Sequence, residues 1–343
     1  MRAVLVGATG AVGTEILKIL EARDYGIHEV IPVASPRSVG RKLSFRSGEI
    51  EVRALEAGVF DGAEVALFDV ADELSAQWAP IAAERGAVVV DNSAAFRMDD
   101  HVPLVVPEIN PEQAANRPKG IIASPNCSTL AMVVPLMPLH REWTVNRLVL
   151  STYQAVSGSG QPGTEELVEQ TQLVAKDPDA MREGRAGDIL KGGETFVHPI
   201  ALNVIPKCGS VREHGYTSEE LKLCHETRKI MGIPDLKATA TCVRVPVVAG
   251  HGVAVHAEFD REVSVERARE LLEGAPGVEL ADEVENHDYP TPLQAANQDP
   301  CYVGRIRKDL FDESALEFFS VADNLRKGAA LNTVQVAELL TRG

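Results

Sequence analysis

Residues 3–13, Ala3-Val4-Leu5-Val6-Gly7-Ala8-Thr9-Gly10-Ala11-Val12-Gly13, decide the fold class. The apolar run 3–6 reads as a short buried strand, and Val12, Ile16, Ile19 and Leu20 then fall on one helical face. Between them lies a glycine turn. In a strand–turn–helix unit this is where a dinucleotide pyrophosphate rests, because glycines let the backbone approach and the helix N–H groups and dipole hold the anion. Gly7, Thr9, Gly10, Ala11 and Val12 are the candidate contacts. The spacing is G-x-x-G-x-x-G, a departure from G-x-G-x-x-G. A plain tight turn is the alternative, and the position at the head of a βαβ unit favours the cofactor.

The rhythm continues outward from this unit. Residues 30–34, 65–70, 87–90 and 121–123 read as further strands, with a helix over 74–85, which predicts an α/β domain with a doubly wound parallel sheet of Rossmann type and right-handed crossovers. The second half differs. Strands at 147–153, 201–205, 238–248 and 252–259, the last two joined through Ala249-Gly250-His251, alternate less regularly with helices at 165–174, 218–231 and 263–272. That pattern predicts an α+β domain. The expected division is 1–127 plus 325–343 for the nucleotide domain, with the helical segment 329–340 returning to it, and 128–324 for the second domain. The charged, glycine-rich stretch 176–193 reads as a lid or a surface insertion.

Composition narrows the function. The 343 residues are 45% hydrophobic and 24% charged, the profile of an ordinary globular chain. Lys and Arg total 34 against 50 Asp and Glu, a net charge of −16, and no basic stripe offers a nucleic-acid surface. The longest apolar run, 130–139, is about half of the ~20 residues a membrane span needs and contains Pro135 and Pro138. The N-terminal apolar stretch is cut by Gly7, Gly10, Gly13 and Glu15, unlike a secretory signal. The five cysteines are scattered without a C-x-x-C pair, which disfavours a disulfide framework or zinc knuckle, predicts no metal and suits a reducing cytoplasm.

Two local patterns carry chemistry. After the second strand stand Ser35, Arg37 and Ser38, with Arg41 and Lys42 behind them, where an NAD enzyme would place an acidic residue. Hydroxyls and a guanidinium suit the 2′-phosphate of NADP; a solvated basic loop is the alternative. Cys127 follows a short strand and Pro125-Asn126 and opens an apolar helical run. A thiol at a helix N-terminus is favoured as thiolate, the reactive form. A buried structural cysteine is the commoner fate of the residue type, and it is the one expected for Cys208, Cys224, Cys242 and Cys301.

The stretch Ser124-Pro125-Asn126-Cys127-Ser128-Thr129 resembles the nucleophile motif of the aspartate-β-semialdehyde dehydrogenase family. So do the glycine turn, Asn92-Ser93-Ala94-Ala95-Phe96-Arg97, Gln154-Ala155-Val156-Ser157-Gly158, Glu219-Glu220-Leu221-Lys222, Arg244-Val245-Pro246 with His251, and Asp323-Asn324-Leu325-Arg326-Lys327-Gly328. The match spans nearly the whole chain in the family's order and is most similar to its shorter bacterial branch. The resemblance implies NADPH-dependent reductive dephosphorylation of 4-phospho-L-aspartate to L-aspartate 4-semialdehyde. That is the branch step toward lysine, threonine, methionine and, in bacteria, diaminopimelate. It also implies that the second domain carries much of the active site and the contact of a homodimer or dimer of dimers.

The resemblance assigns roles residue by residue. Cys127 would form a thioester, and His251 would be the general acid/base. Gln154 would orient the substrate, and Asn126 with nearby backbone N–H groups would stabilise the oxyanion. Arg97 and Lys222 would bind phosphate. Arg244 would clamp the substrate α-carboxylate and Glu219 would face its α-ammonium group. Ser157, Gly158 and Asn324 would lie near the nicotinamide. Taken alone, Glu219 and Lys222 could be a surface ion pair and the arginines ordinary salt-bridge partners. The competing reading is a related acyl-phosphate or acyl-CoA reductase such as N-acetyl-glutamyl-phosphate reductase, which shares the cysteine, the histidine and NADPH. A non-catalytic cofactor-binding relative would be expected to lose the nucleophile or the base.

Overall fold

In β1 (Arg2–Val6) every residue after Arg2 is buried, as a strand covered on both faces must be. The structure, a computed structural model, describes residues 1–23 and 26–341 and divides into two units. The first comprises Met1–Met137, His225–Asp235 and Leu325–Gly343; the second comprises Pro138–Cys224 and Leu236–Asn324.

In the first unit β1 is followed by α1 (Ala11–Ala22), β2 (Glu29–Val33), a hairpin of β3 (Lys42–Phe45) and β4 (Gly48–Glu51), β5 (Val65–Phe68), α2 (Asp72–Glu84), β6 (Val88–Asp91), β7 (Ile121–Ala123) and the start of α3 (Cys127–Trp143). The sheet runs β2-β1-β5-β6-β7 with every pairing parallel. Its order reverses between β1 and β5, the switch point at which open α/β sheets bind ligands. Leu5, Ile16, Leu20, Leu67 and Ile122 form one buried cluster with Leu331, Val334 and Ala337 of the C-terminal helix Leu331–Leu339. Sequence periodicity misses the β3–β4 hairpin because its four-residue strands are mostly exposed and bury no continuous apolar face.

The second unit contains β8 (Val145–Gln154), α4 (Gly160–Val174), the single turns α5 (Asp179–Arg182) and α6 (Ala186–Ile189), α7 (Ser218–Met231), β9 (Lys237–Arg244), β10 (His251–Phe259), α8 (Val265–Glu273), β11 (Val278–Leu280), α9 (Pro292–Ala295), β12 (Cys301–Lys308) and β13 (Ala315–Ala322). From His225 onward α7 belongs to the first unit, and α3 passes into the second at Pro138, so the unit boundaries depart from the expected 127/128 cut. The mixed sheet runs β11-β12-β13-β10-β8-β9.

Two expectations need correction here. Residues 201–205 form no strand: Leu202 takes a left-handed φ of 55°, and only Ile205 pairs, as an isolated bridge to Arg244. The strand expected over 238–248 ends at Arg244, and β9 and β10 are not neighbours, since β8 lies between them. The link between them is held by the chain leaving β8: the Val245 N–H donates to the Gln154 carbonyl, and the Val156 and Ser157 N–H groups donate to the carbonyls of Val247 and Val248. The stretch 176–193 holds α5 and α6, and Leu190 anchors its end in a cluster with Val156, Leu167, Phe196 and Ile200. Among the described residues no helix is long and apolar enough to cross a membrane.

Candidate active site

The chain leaves β1 through Gly7 at φ +98°, and the N–H groups of Gly7 and Ala8 both donate to the Val33 carbonyl at the end of β2 (2.9 and 3.1 Å). A Cβ on Gly7 would stand 2.1 Å from the Asp69 carbonyl oxygen, and one on Gly13 2.2 Å from that of Gly7. Glycine is therefore needed at 7 for the turn and at 13 for the contact of α1 with it. Gly10 is the N-cap residue of α1, and Ala11 and Val12 form its first turn, whose N–H groups lack helical partners.

A cavity of about 530 Å³ opens beside this turn, lined by Gly7, Thr9, Gly10, Ala34, Ser35 and Asp69 among others. It lies at the β1/β5 switch point and falls in the size range of small-molecule sites. Ser38 reaches Thr9 (Oγ to Oγ1, 3.5 Å), whereas Arg37 sits on the exposed turn Pro36–Ser38 outside the lining. Lys42 pairs with Glu49 (2.9 Å) on the hairpin. Burial pushes the Asp69 carboxyl above its ordinary range, against a hydrogen bond from Asn92 (3.0 Å). The glycine cradle and this lining fit a dinucleotide.

Elsewhere in the first unit, Cys127 is half-buried as the first residue of α3, while the other four cysteines are buried. Burial pushes the Cys208 thiol up to about 11 and the Cys242 thiol higher still, which makes both poor nucleophiles at neutral pH. The Oδ1 of Asn126 accepts from the N–H groups of Ser128 (2.9 Å) and Thr129 (3.4 Å), so Asn126 caps the helix that presents the thiol. Its own N–H donates to Glu226 Oε2 (2.7 Å). Those three backbone donors are therefore committed within the protein, and the oxyanion role expected of Asn126 falls to its side-chain amide. Arg97 is 7% exposed and bonds the Ser124 carbonyl through Nε, the Asn92 carbonyl through Nη2 and Glu226 through Nη1.

In the second unit, β8 and β9 end and β10 begins at the same end of the sheet's strands. Gln154 is in register with Arg244, and Gly252 with Tyr153, which brings Gln154, Arg244 and His251 together. All three are buried. His251 Nδ1 accepts from the Ala155 N–H (3.1 Å), so the neutral ring carries its proton on Nε2. Burial, with the Arg244 charge second, holds this imidazole well below its ordinary range. The geometry thus supports the hydrogen-bond-donor half of the acid/base role and leaves the ring a weak base. Arg244 donates to the Ala155 carbonyl, and its guanidinium stands 6.0 Å from the centre of the Phe196 ring.

Gly158 lies against both groups: a Cβ there would lie 2.9 Å from Arg244 Nη1 and 3.1 Å from His251 Nε2. Asn324 bonds Ser157 Oγ through Nδ2 (2.9 Å) and accepts from the Gly250 N–H (2.9 Å), tying the turn after β8 to the residue before His251. Glu219 bridges Lys222 Nζ and Gln154 Nε2, each at 3.4 Å.

Models of two domains match this chain: the semialdehyde dehydrogenase NAD binding domain over residues 2–117 and the semialdehyde dehydrogenase dimerisation domain over 136–327. The aspartate-semialdehyde dehydrogenase of Aquifex aeolicus is 47% identical, covering 99% of this chain and 98% of that protein. The chain belongs to the aspartate-semialdehyde dehydrogenase family. The Bacillus subtilis member is 43% identical over 100% of this chain and 98% of its own. A crystal structure of aspartate semialdehyde dehydrogenase II from Vibrio cholerae complexed with ASA superposes with a TM-score of 0.93 at 41% identity, covering 99% and 98% of the two chains.

Against the family's motifs, sequence reasoning missed Glu226. It lies seven residues after Glu219 and four after Lys222 on α7, a spacing that keeps all three on one helical face. That stripe was the available signal.

Proposed function

We propose that the protein is an NADP-dependent aspartate-semialdehyde dehydrogenase that works through a thioester on Cys127. Near-complete coverage by aspartate-semialdehyde dehydrogenases, together with a half-buried cysteine at the capped start of α3, carries this reading. The Cys127 thiolate attacks the acyl carbon of 4-phospho-L-aspartate and the C–O bond to phosphate breaks. The departing phosphate takes up the one proton that the overall reaction consumes. When bound, NADPH supplies the hydride that reduces the thioester carbonyl. The hemithioacetal oxyanion then re-forms the C=O bond and returns the thiolate, giving the aldehyde. His251, with its proton on Nε2, donates a hydrogen bond to the carbonyl oxygen as charge develops there.

Arg244 holds the substrate α-carboxylate and Glu219 its ammonium group, while Gln154, bonded to Glu219, orients the chain between them. Arg97 and Lys222 bind phosphate. The glycine turn, Thr9, Ser35, Arg37 and Ser38 would hold NADP, and Ser157, Gly158 and Asn324 would serve its nicotinamide. The NADP domain is built around 1–127 with 325–343 and the catalytic and dimerisation domain around 128–324, with residues 128–137 and 225–235 packing in the first unit. The enzyme is a homodimer or dimer of dimers, as its dimerisation domain suggests, and works in the cytoplasm, where a reactive thiol stays reduced.

The experiment is phosphate-dependent reduction of NADP⁺ by the purified protein. Turnover with aspartate semialdehyde is expected. Turnover with N-acetylglutamate semialdehyde alone would favour the N-acetyl-glutamyl-phosphate reductase reading, in which Glu219 has no ammonium group to face.

A further inference from the structure

We propose that Glu226 and Lys229, one turn apart on α7, are positioning residues that set Arg97 for phosphate and, through Asn126, fix the start of the nucleophile helix. The inference rests on the reading of Cys127 as nucleophile and Arg97 as phosphate ligand. Glu226 is 1% exposed, and its carboxylate is divided between two partners: Oε1 takes Arg97 Nη1 (3.0 Å) and Oε2 the Asn126 N–H (2.7 Å). One buried anion thus ties the arginine to the residue immediately before Cys127. Asn126 is held from the other side too, since its Oδ1 caps α3.

Lys229 acts on the same segment. Its ammonium donates to the carbonyls of Arg97 (2.8 Å), Asp99 (2.7 Å) and Val102 (2.8 Å), fixing the backbone that carries Arg97. The remaining guanidinium bonds reach the carbonyls of Ser124, after β7, and Asn92, after β6. The arginine is therefore oriented by two strand ends and one helix, and Glu226 is its charged partner. Stability alone is a weak reason for such a pair, because apolar residues of similar volume often replace a buried ion pair without loss. A carboxylate that must meet both a guanidinium and one particular backbone N–H is not replaceable in that way.

Glu226→Gln keeps the shape but has a single carbonyl oxygen for two donors. Phosphate KM and kcat are measured in the oxidative direction, with NADP⁺ KM as internal control, and the rate of Cys127 alkylation by iodoacetamide is followed without substrate. The expected result is a rise in phosphate KM and a fall in kcat, each of roughly tenfold or more, with an altered alkylation rate and NADP⁺ KM within about twofold.

Lys229→Met removes the bonds to the carbonyls of Arg97, Asp99 and Val102 and leaves the Glu226 bond to the Asn126 N–H in place, so it is expected to raise phosphate KM while leaving alkylation unchanged. This second variant carries the test if Glu226→Gln does not fold. Phosphate KM and alkylation within about twofold of the parent in a folded Glu226→Gln, or an unchanged phosphate KM in Lys229→Met when it alone folds, overturns the assignment. Failure of the underlying reading looks different: the parent itself would show no phosphate dependence, or alkylation of Cys127 would leave it active.

Discussion

Replacing Gly158 by alanine separates the active-site geometry from the stability of the fold. Gly158 is not among the residues with positive φ, so an alanine is compatible with its backbone. The obstacle is what the methyl group meets: Arg244 Nη1 at 2.9 Å, His251 Nε2 at 3.1 Å and His251 Cε1 at 3.2 Å. Ordinary carbon contacts lie near 3.5–4.0 Å, so one or both side chains must retreat by roughly half an ångström. Neither moves freely. Arg244 is tied to the Ala155 carbonyl and packed on Phe196, and His251 is tied to the Ala155 N–H.

A misplacement of 1 Å costs about a hundredfold in rate, so half of that predicts a fall in kcat/KM of about tenfold. The overpacking cost to stability is about 1–3 kcal/mol. Steady-state kinetics with aspartate semialdehyde, alongside thermal unfolding, reads both. A kcat/KM within about twofold of the parent would refute the placement of Arg244 and His251 at the reacting centre. An unfolded variant would refute the claim that this glycine serves function rather than fold.

Other perturbations follow from the same contacts. Gly13→Ala should lower both Tm and NADP affinity although alanine is the better helix former by about 1 kcal/mol, because its Cβ would sit 2.2 Å from the Gly7 carbonyl oxygen; an unchanged Tm contradicts the close approach. Arg37→Ala should raise the KM for NADPH about tenfold to a hundredfold and leave that for NADH alone, the loss expected of one charge-assisted hydrogen bond; equal effects on both cofactors contradict the 2′-phosphate assignment. His251 stays neutral in the folded protein to a pH well below its ordinary range, while the unfolded chain takes up that proton near pH ~6.5. Below that pH the unfolded state binds the extra proton, so His251 lowers stability as pH falls, by up to about 1.4 kcal/mol per pH unit. Unfolding midpoints of His251→Gln between pH 7 and 5 should therefore fall less steeply than those of the parent, and parallel curves would contradict the buried neutral ring.

What the sequence made legible follows from physical locality. The glycine turn and the strands of the parallel sheet are read directly, because a strand buried on both faces must be a short apolar run and a turn against a carbonyl must be glycine. Cys127 is legible as the first residue of a helix. Which backbone donors beside Cys127 are already occupied is not legible, because occupancy depends on chain far away: the Asn126 N–H is taken by Glu226, a hundred residues on. His251 reads as an ordinary neutral-range imidazole until its burial and the Ala155 N–H are known. The pairing of β9 with β8 rather than β10 is invisible for a related reason. An alternating strand shows which face it buries but not which strand it lies beside.

The central claim is that the reaction passes through an acyl group on Cys127. The most direct measurement mixes enzyme, NADP⁺ and aspartate semialdehyde without phosphate, quenches in acid and maps the adduct by peptide mass spectrometry. The account predicts about one equivalent of NADPH per active site, an aspartyl thioester on the Cys127 peptide, and loss of both in Cys127→Ala. An acyl group on another residue, or full turnover by Cys127→Ala, would contradict it.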